Sequence, residues 1–306
     1  MFRYIVRRLL YAVPVMLVVS IIVFGILHIA PGDPATMLAG EDARPEDVAA
    51  IKAKYGLDQP LYVQYGVWLA DVLHGDLGKS LVTRRAVLAE VTARMPATAE
   101  LAIASLLVAV TVGMIVGVIS ATRQYSLMDH GIMIVALLGV SVPVFWLGLM
   151  LILLLSVELH WFPTGGAGTF MQLVLPALTL GASSTAIIAR MTRSSMLEVV
   201  RQDYIRTARS KGLKERVVTI RHALKNALIP VVTVVGIEFG YLLGGAVITE
   251  TVFARPGLGR LLVSSITSRD FPVVQGTLML LAGSFVLVNL LVDIVYGYLD
   301  PRIRYE

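Results

Sequence analysis

Six apolar stretches of membrane-crossing length decide what this chain can become. They run at about Leu9–Ala30, Ala97–Ala121, Gly131–Val157, Leu173–Arg190, Ile229–Thr249 and Gly276–Leu299. Each lies near the ~20 residues that carry a helix across the hydrocarbon core. Lipid offers the backbone no hydrogen-bond partners, so a spanning segment must close its own N–H and C=O groups, as a helix does. The sequence therefore predicts an all-α polytopic membrane protein with six transmembrane helices. An apolar content of 57%, only 15% charged residues and a mean hydropathy of +0.78 agree with it.

Charge sets the orientation. Arg190 and the segment Thr192–Pro230 hold ten of the 26 Lys and Arg residues. With the N-terminus inside, 16 basic residues fall on the cytoplasmic side and 10 on the other, seven of these in one long loop where the charge rule is weak. Both termini are therefore expected in the cytoplasm. The first apolar run follows Arg3, Arg7 and Arg8, is too long for a signal-peptide core, and reads as a retained span. The chain then divides into 1–30 (cytoplasmic N-terminus and first span), 31–96 (extracytoplasmic amphipathic segment), 97–299 (a five-helix core) and 300–306 (cytoplasmic C-terminus). Within the outer segment, Pro45 starts a short helix. Leu61, Tyr65, Trp68 and Val72 form an amphipathic face suited to the bilayer surface, and Ala86 to Arg94 reads as a third short helix.

The basic segment has more than charge. Asp203, Tyr204, Arg206, Thr207, Ala208, Arg209 and Lys211 form one helical pattern, Gly212 stops it, and a second pattern runs to Pro230. Glycine adopts the left-handed backbone that redirects a helix. Small residues at Thr207, Ala208 and Ser210 would let such a corner enter a groove on a partner. A solvated loop that only fixes topology accounts for the charge but not for this pattern.

Within the spans, Glu238 is an ionisable group at mid-depth and a functional candidate for that reason. Beside it stands Tyr241, and Pro143 should kink the third span and free a carbonyl; all three are candidates for a translocation path, with helix–helix bonding and simple bending as the structural alternatives. Asp293, one turn beyond Asn289, is expected to pack against the basic inner surface. Gly113 with Gly117, Gly236 with Gly240, and the pair Gly244-Gly245 have the small-residue spacing of close helix contacts.

Several chemistries are excluded. There is no cysteine, and His28, His74, His130, His160 and His222 share no metal-ligand spacing, so no metal site is expected. No nucleophile–base motif and no nucleic-acid motif occurs. Gly75-Asp76-Leu77-Gly78-Lys79-Ser80 lacks the first glycine of a phosphate loop, which is Leu73 here, and reads as a turn. No cofactor is expected on this chain. If ATP drives it, another chain binds the ATP and its Mg.

The corner Asp203–Gly212 resembles the coupling loop of bacterial ABC-importer permeases in the dipeptide/oligopeptide/nickel branch, and the chain is most similar to the first (B-type) of their two permease subunits. Arg206-Thr207-Ala208 before Gly212 replaces the Glu-Ala-Ala of the broad superfamily, as that branch does. Pro31-Gly32-Asp33-Pro34, Leu57-Asp58-Gln59-Pro60-Leu61, Gly75-Asp76-Leu77-Gly78 and Asp300-Pro301-Arg302-Ile303-Arg304-Tyr305 carry the resemblance along nearly the whole chain. Val157–Thr164 and Leu242–Gly245 are most like dipeptide and glutathione permeases. The resemblance implies a type I ABC-importer permease fold in the bacterial inner membrane, with coupling segment 192–229. It also implies a second permease subunit, two cytoplasmic ATPase subunits and an extracytoplasmic substrate-binding protein. The implied activity is ATP-driven import of short peptides by alternating access, with glutathione or a nickel or other metal chelate as other cargoes of the branch. A passive channel and an intramembrane enzyme are the readings from other classes; neither uses the corner.

Overall fold

The structure, a computed structural model, describes residues 2–29 and 44–299. The Pro31–Pro34 block and the terminal Asp300–Tyr305 lie outside the described residues. Among the described residues eleven helices follow one another: α1 Phe2–Ile29, α2 Pro45–Tyr55, α3 Leu61–Leu73, α4 Val87–Thr122, α5 Leu127–Ser141, α6 Val144–Glu158, α7 Phe170–Val200, α8 Asp203–Ser210, α9 Glu215–Val252, α10 Leu258–Thr267 and α11 Phe271–Leu299. Extended pairing among the described residues is one antiparallel bridge, Lys79 with Ala86.

Among the described residues five helices are long and apolar enough to cross a membrane, and the bent pair α5–α6 makes a sixth when taken as one span. Its break falls at Val142 and Pro143 and turns the chain by 106°. Pro143 therefore does more than the kink expected of it. Its φ of −60° and ψ of 133° end one helix and start the next, because the ring excludes the helical hydrogen bond. Beyond Ile152, α6 winds as a π-helix.

The separate helix expected over Ala86–Arg94 does not exist: those residues are the first turns of α4, which passes through Pro96 and is 36 residues long. Val87 and Val91 explain this. Both are fully buried with Leu258, Leu261 and Val273, so packing on α10 and the start of α11 holds the outer turns in line with the span. Likewise α7, started by a Thr169–Gln172 capping box, continues well past the expected end at Arg190.

The centre of the molecule is α4, α7 and α9. Added Cβ atoms show how closely the first two approach. At Gly113 one would lie 2.9 Å from the Thr185 carbonyl oxygen, and at Gly117 one would lie 2.6 Å from the Ala189 oxygen. Gly181 meets the Ser105 carbonyl in the same way. The contacts advance together along both helices, so α4 and α7 run side by side in the same direction. Helix α9 returns antiparallel, with Glu238 opposite Ser184 and Gly245 against Leu180. Leu101, Ala102, Leu180, Leu242 and Ala246 fill the space between them.

Helix α1 stands at the edge, against α11 and α3. Arg8 and Asp293 pair at 3.0 Å near the start of α1, so Asp293 does meet a basic residue. Gln275 donates to the Val23 carbonyl at 3.2 Å toward the C-terminal end of α1. Tyr65 of α3 meets Phe24 edge-on and Trp68 packs on it at a tilt, and Tyr65 shares a hydrogen bond of 2.8 Å with Ser20. The aromatic face expected on the bilayer surface thus clasps α1.

Candidate functional site

The corner between α7 and α9 is built as the sequence suggests. Gln202 leaves the helical region, Asp203 opens α8 with a carboxylate in its first turn, and the chain reverses at Gly212 with φ of +74°. A Cβ at Gly212 would meet nothing, so glycine is needed there for its backbone alone.

Helix α8 has two faces. Ile205 and Ala208 point inward, into a cluster with Ala121, Met196, Val218, Ala223 and Ala227. Ala208 therefore packs the corner onto its own chain and does not face a partner. Asp203, Tyr204, Arg206, Thr207, Arg209, Ser210 and Lys211 make the exposed face. Arg209 grips Glu215 with two bonds, Nη2 at 2.6 Å and Nε at 3.2 Å, and the carboxylate raises the guanidinium above its ordinary value. Tyr204 accepts from Asn226 Nδ2 at 2.9 Å. Arg206 has only a loose contact, 3.7 Å to Asp203 across solvent. The exposed face is thus a rigid ledge clipped at both ends to α9. Where α8 rests, α9 is π-helical, from Val218 to Leu224, the kind of irregularity that recurs at functional positions.

The translocation candidates are dispersed. Glu238 is buried between α7 and α9 and accepts a bond of 2.6 Å from Ser184 Oγ. Tyr241 is 60% exposed, one turn farther on, where α9 leaves that interface. Pro143 is exposed at the α5–α6 break.

Two polar centres were not singled out in the sequence. Near the C-terminal end of α9, Glu250 is fully buried and accepts from Thr98 Oγ1 at 2.5 Å and from the N–H groups of Gly259 at 2.7 Å and Arg260 at 3.1 Å. It thereby caps α10 and ties it to α4 and α9. Buried Arg255 reaches the Ala97 carbonyl at 3.3 Å and pairs with Glu100, while Asp270 accepts from Ser80 Oγ at 2.5 Å and Leu81 N at 3.0 Å. The Gly75–Ser80 segment ends in this contact as a structural turn. Where α4 ends and α5 begins, Asp129 is buried and accepts from Arg193 Nε at 2.8 Å, Arg193 Nη2 at 2.7 Å, Tyr125 N at 3.0 Å and Ser120. The only sequence sign of either was a charge at the margin of an apolar run. Among the described residues no three His, Cys, Asp or Glu side chains gather as a metal would need.

Two family models match the chain. Residues 113–305 match the binding-protein-dependent transport system inner membrane component, and residues 1–102 match the N-terminal membrane component of the same systems. A glutathione transport system permease protein, GsiC, of Escherichia coli O6:H1 is 45% identical over 306 residues, covering 100% of both chains. A putative peptide transport system permease protein of Brucella abortus (strain 2308) is 48% identical over 310 residues, covering 99% of each. Among solved structures, the inward-facing MetNI methionine ABC transporter superposes with a TM-score of 0.60 at 19% identity, over 69% of this chain and 96% of that one. At that identity the likeness is one of fold.

Proposed function

Because the chain belongs to the family of binding-protein-dependent transport system inner membrane components, we propose that it is the pore-forming permease of an ABC importer for short peptides, glutathione among them, and that α8 is where the motor pushes. Relatives matched end to end support the cargo class. The observation that carries the mechanism is the division of α8 into a face buried on α9 and an exposed ledge beside a left-handed glycine.

In this reading both termini and α8 are cytoplasmic, and two ATPase subunits bind ATP and Mg below the membrane. A second permease subunit completes the cavity, and a binding protein delivers cargo from outside. Closure of the ATPases displaces the ledge. The packing of Ile205 and Ala208, with the Arg209 and Tyr204 clips, passes that displacement to α9 as one body, and α9 carries it to Glu238 and Tyr241 at mid-membrane. Such a motor biases a two-state equilibrium only as far as it binds one arrangement better than the other.

The natural chain has no cysteine, so a single Thr207→Cys or Lys211→Cys variant gives cross-linking without background. In intact cells, a short bifunctional reagent is expected to join either position to an ATP-hydrolysing subunit. Membrane-impermeant labelling of both positions from outside, with no ATPase captured, would sink the assignment.

A further inference from the structure

A groove of about 350 Å³ opens beside the Asp129–Arg193 pair. It begins at the tight turn between α4 and α5 and follows α5 into the span. Its mouth is polar, made by Tyr125, His130 and the Arg193 guanidinium; its floor is apolar, made by Met133, Ile134 and Leu137. The polarity therefore changes over about two helical turns, on one side of the membrane.

Hydrogen-bond accounting at the mouth is one-sided. Both Asp129 oxygens are taken, by Arg193, Ser120 and Tyr125 N. Arg193 spends Nε and Nη2 on that pair. Its Nη1 and the Tyr125 hydroxyl have no hydrogen-bond partner among the described residues, and Tyr125 itself is 76% exposed. His130 gives its Nδ1 hydrogen to the Ser126 carbonyl at 2.8 Å, with its ring exposed at the mouth. Arg123 stands exposed on the same turn. Donors are thus in surplus, no carboxylate oxygen is free, and an anion fits. A free phosphate would use only the mouth; a floor of Met133, Ile134 and Leu137 running into the hydrocarbon requires an acyl chain below the charge.

We propose that this groove is a binding site for an anionic phospholipid, its phosphate on Arg193 Nη1 and Tyr125 Oη and one acyl chain along α5. Basic pockets between spans are the known form of such sites. The proposal rests on the function above only for the leaflet, which the expected orientation makes the inner one. Seated there, the lipid would brace α5 against α7, the helix that runs directly into the coupling corner.

The test uses the assembled transporter, reconstituted into vesicles of equal phosphatidylglycerol and phosphatidylcholine, re-extracted in detergent and weighed by native mass spectrometry. Wild type is expected to keep phosphatidylglycerol in preference to phosphatidylcholine. Ile134→Trp, which fills the floor from an exposed position, and the double variant Tyr125→Phe/His130→Ala, which thins the mouth without touching the Arg193–Asp129 pair, are expected to keep less by about fivefold. Equal retention in wild type and variants overturns the proposal, as does equal retention of the two lipids. Displacement of the lipid by millimolar inorganic phosphate with no effect of Ile134→Trp would leave an anion site without an acyl groove and overturn it too. If Ile134→Trp fails to assemble, the double variant decides. Cross-linking at Thr207 and Lys211, run on the same variants, shows separately whether the coupling assignment stands.

Discussion

At the scale of the residue, positions that look equivalent in the sequence do different work. Thr207, Ala208 and Ser210 all read as small residues that let a corner enter a groove, yet Thr207 and Ser210 face solvent while Ala208 packs inward. Nothing in a single helical turn of sequence tells these apart, because the cluster that buries Ala208 comes from α4, α7 and α9. Glu250 was equally illegible: its partners Thr98 and Gly259 meet it only in the fold. Its removal by Glu250→Ala strands one hydroxyl and two backbone N–H groups in a buried site, each worth about 1–3 kcal/mol. The expected loss is about 3 kcal/mol or more, read as a lowered midpoint in detergent thermal unfolding. Glu250→Gln, which keeps one acceptor oxygen, is expected to lose roughly half as much. Wild-type stability in the alanine variant would show that the cap contributes nothing.

Elements were more legible than residues. Apolar length gave the spans, and the break at Gly212 gave α8, because both follow from local physics: lipid as solvent and a left-handed turn. What local physics left out was packing. The outer turns of α4 read as a detached helix until α10 and α11 bury Val87 and Val91, and α10 itself, ten residues with an exposed face, fell below any span criterion. Gly113 and Gly117 have the spacing of a close helix contact without naming its partner; the fold supplies α7, and the contact can be tested. Gly117→Leu is expected to force the helices apart and cost about 1–3 kcal/mol or more, with loss of assembled transporter. Gly244→Ala is the control, since a Cβ there meets nothing within 4 Å. Equal yields of the two variants would mean that the helices are not pressed together at Gly117.

At the scale of the molecule, helix lengths are unequal in a consequential way. With 36 residues, α4 is about 54 Å long, well over the ~30 Å hydrocarbon core, whereas the apolar part of α1, Val6–His28, is about 34 Å. Hydrophobic mismatch therefore falls unevenly. In a thicker bilayer α4 has turns in reserve to draw into the lipid; α1 has almost none and must thin the membrane around it or pull its Arg8–Asp293 anchor deeper. Reconstitution into vesicles of increasing acyl length is expected to separate the two. Thermal stability of the α4–α7–α9 centre should stay level while exchange of α1 backbone amides with deuterium rises. Membrane thickness would then act on this transporter through its outermost helix first, which makes the edge of the protein the part that senses which membrane it is in.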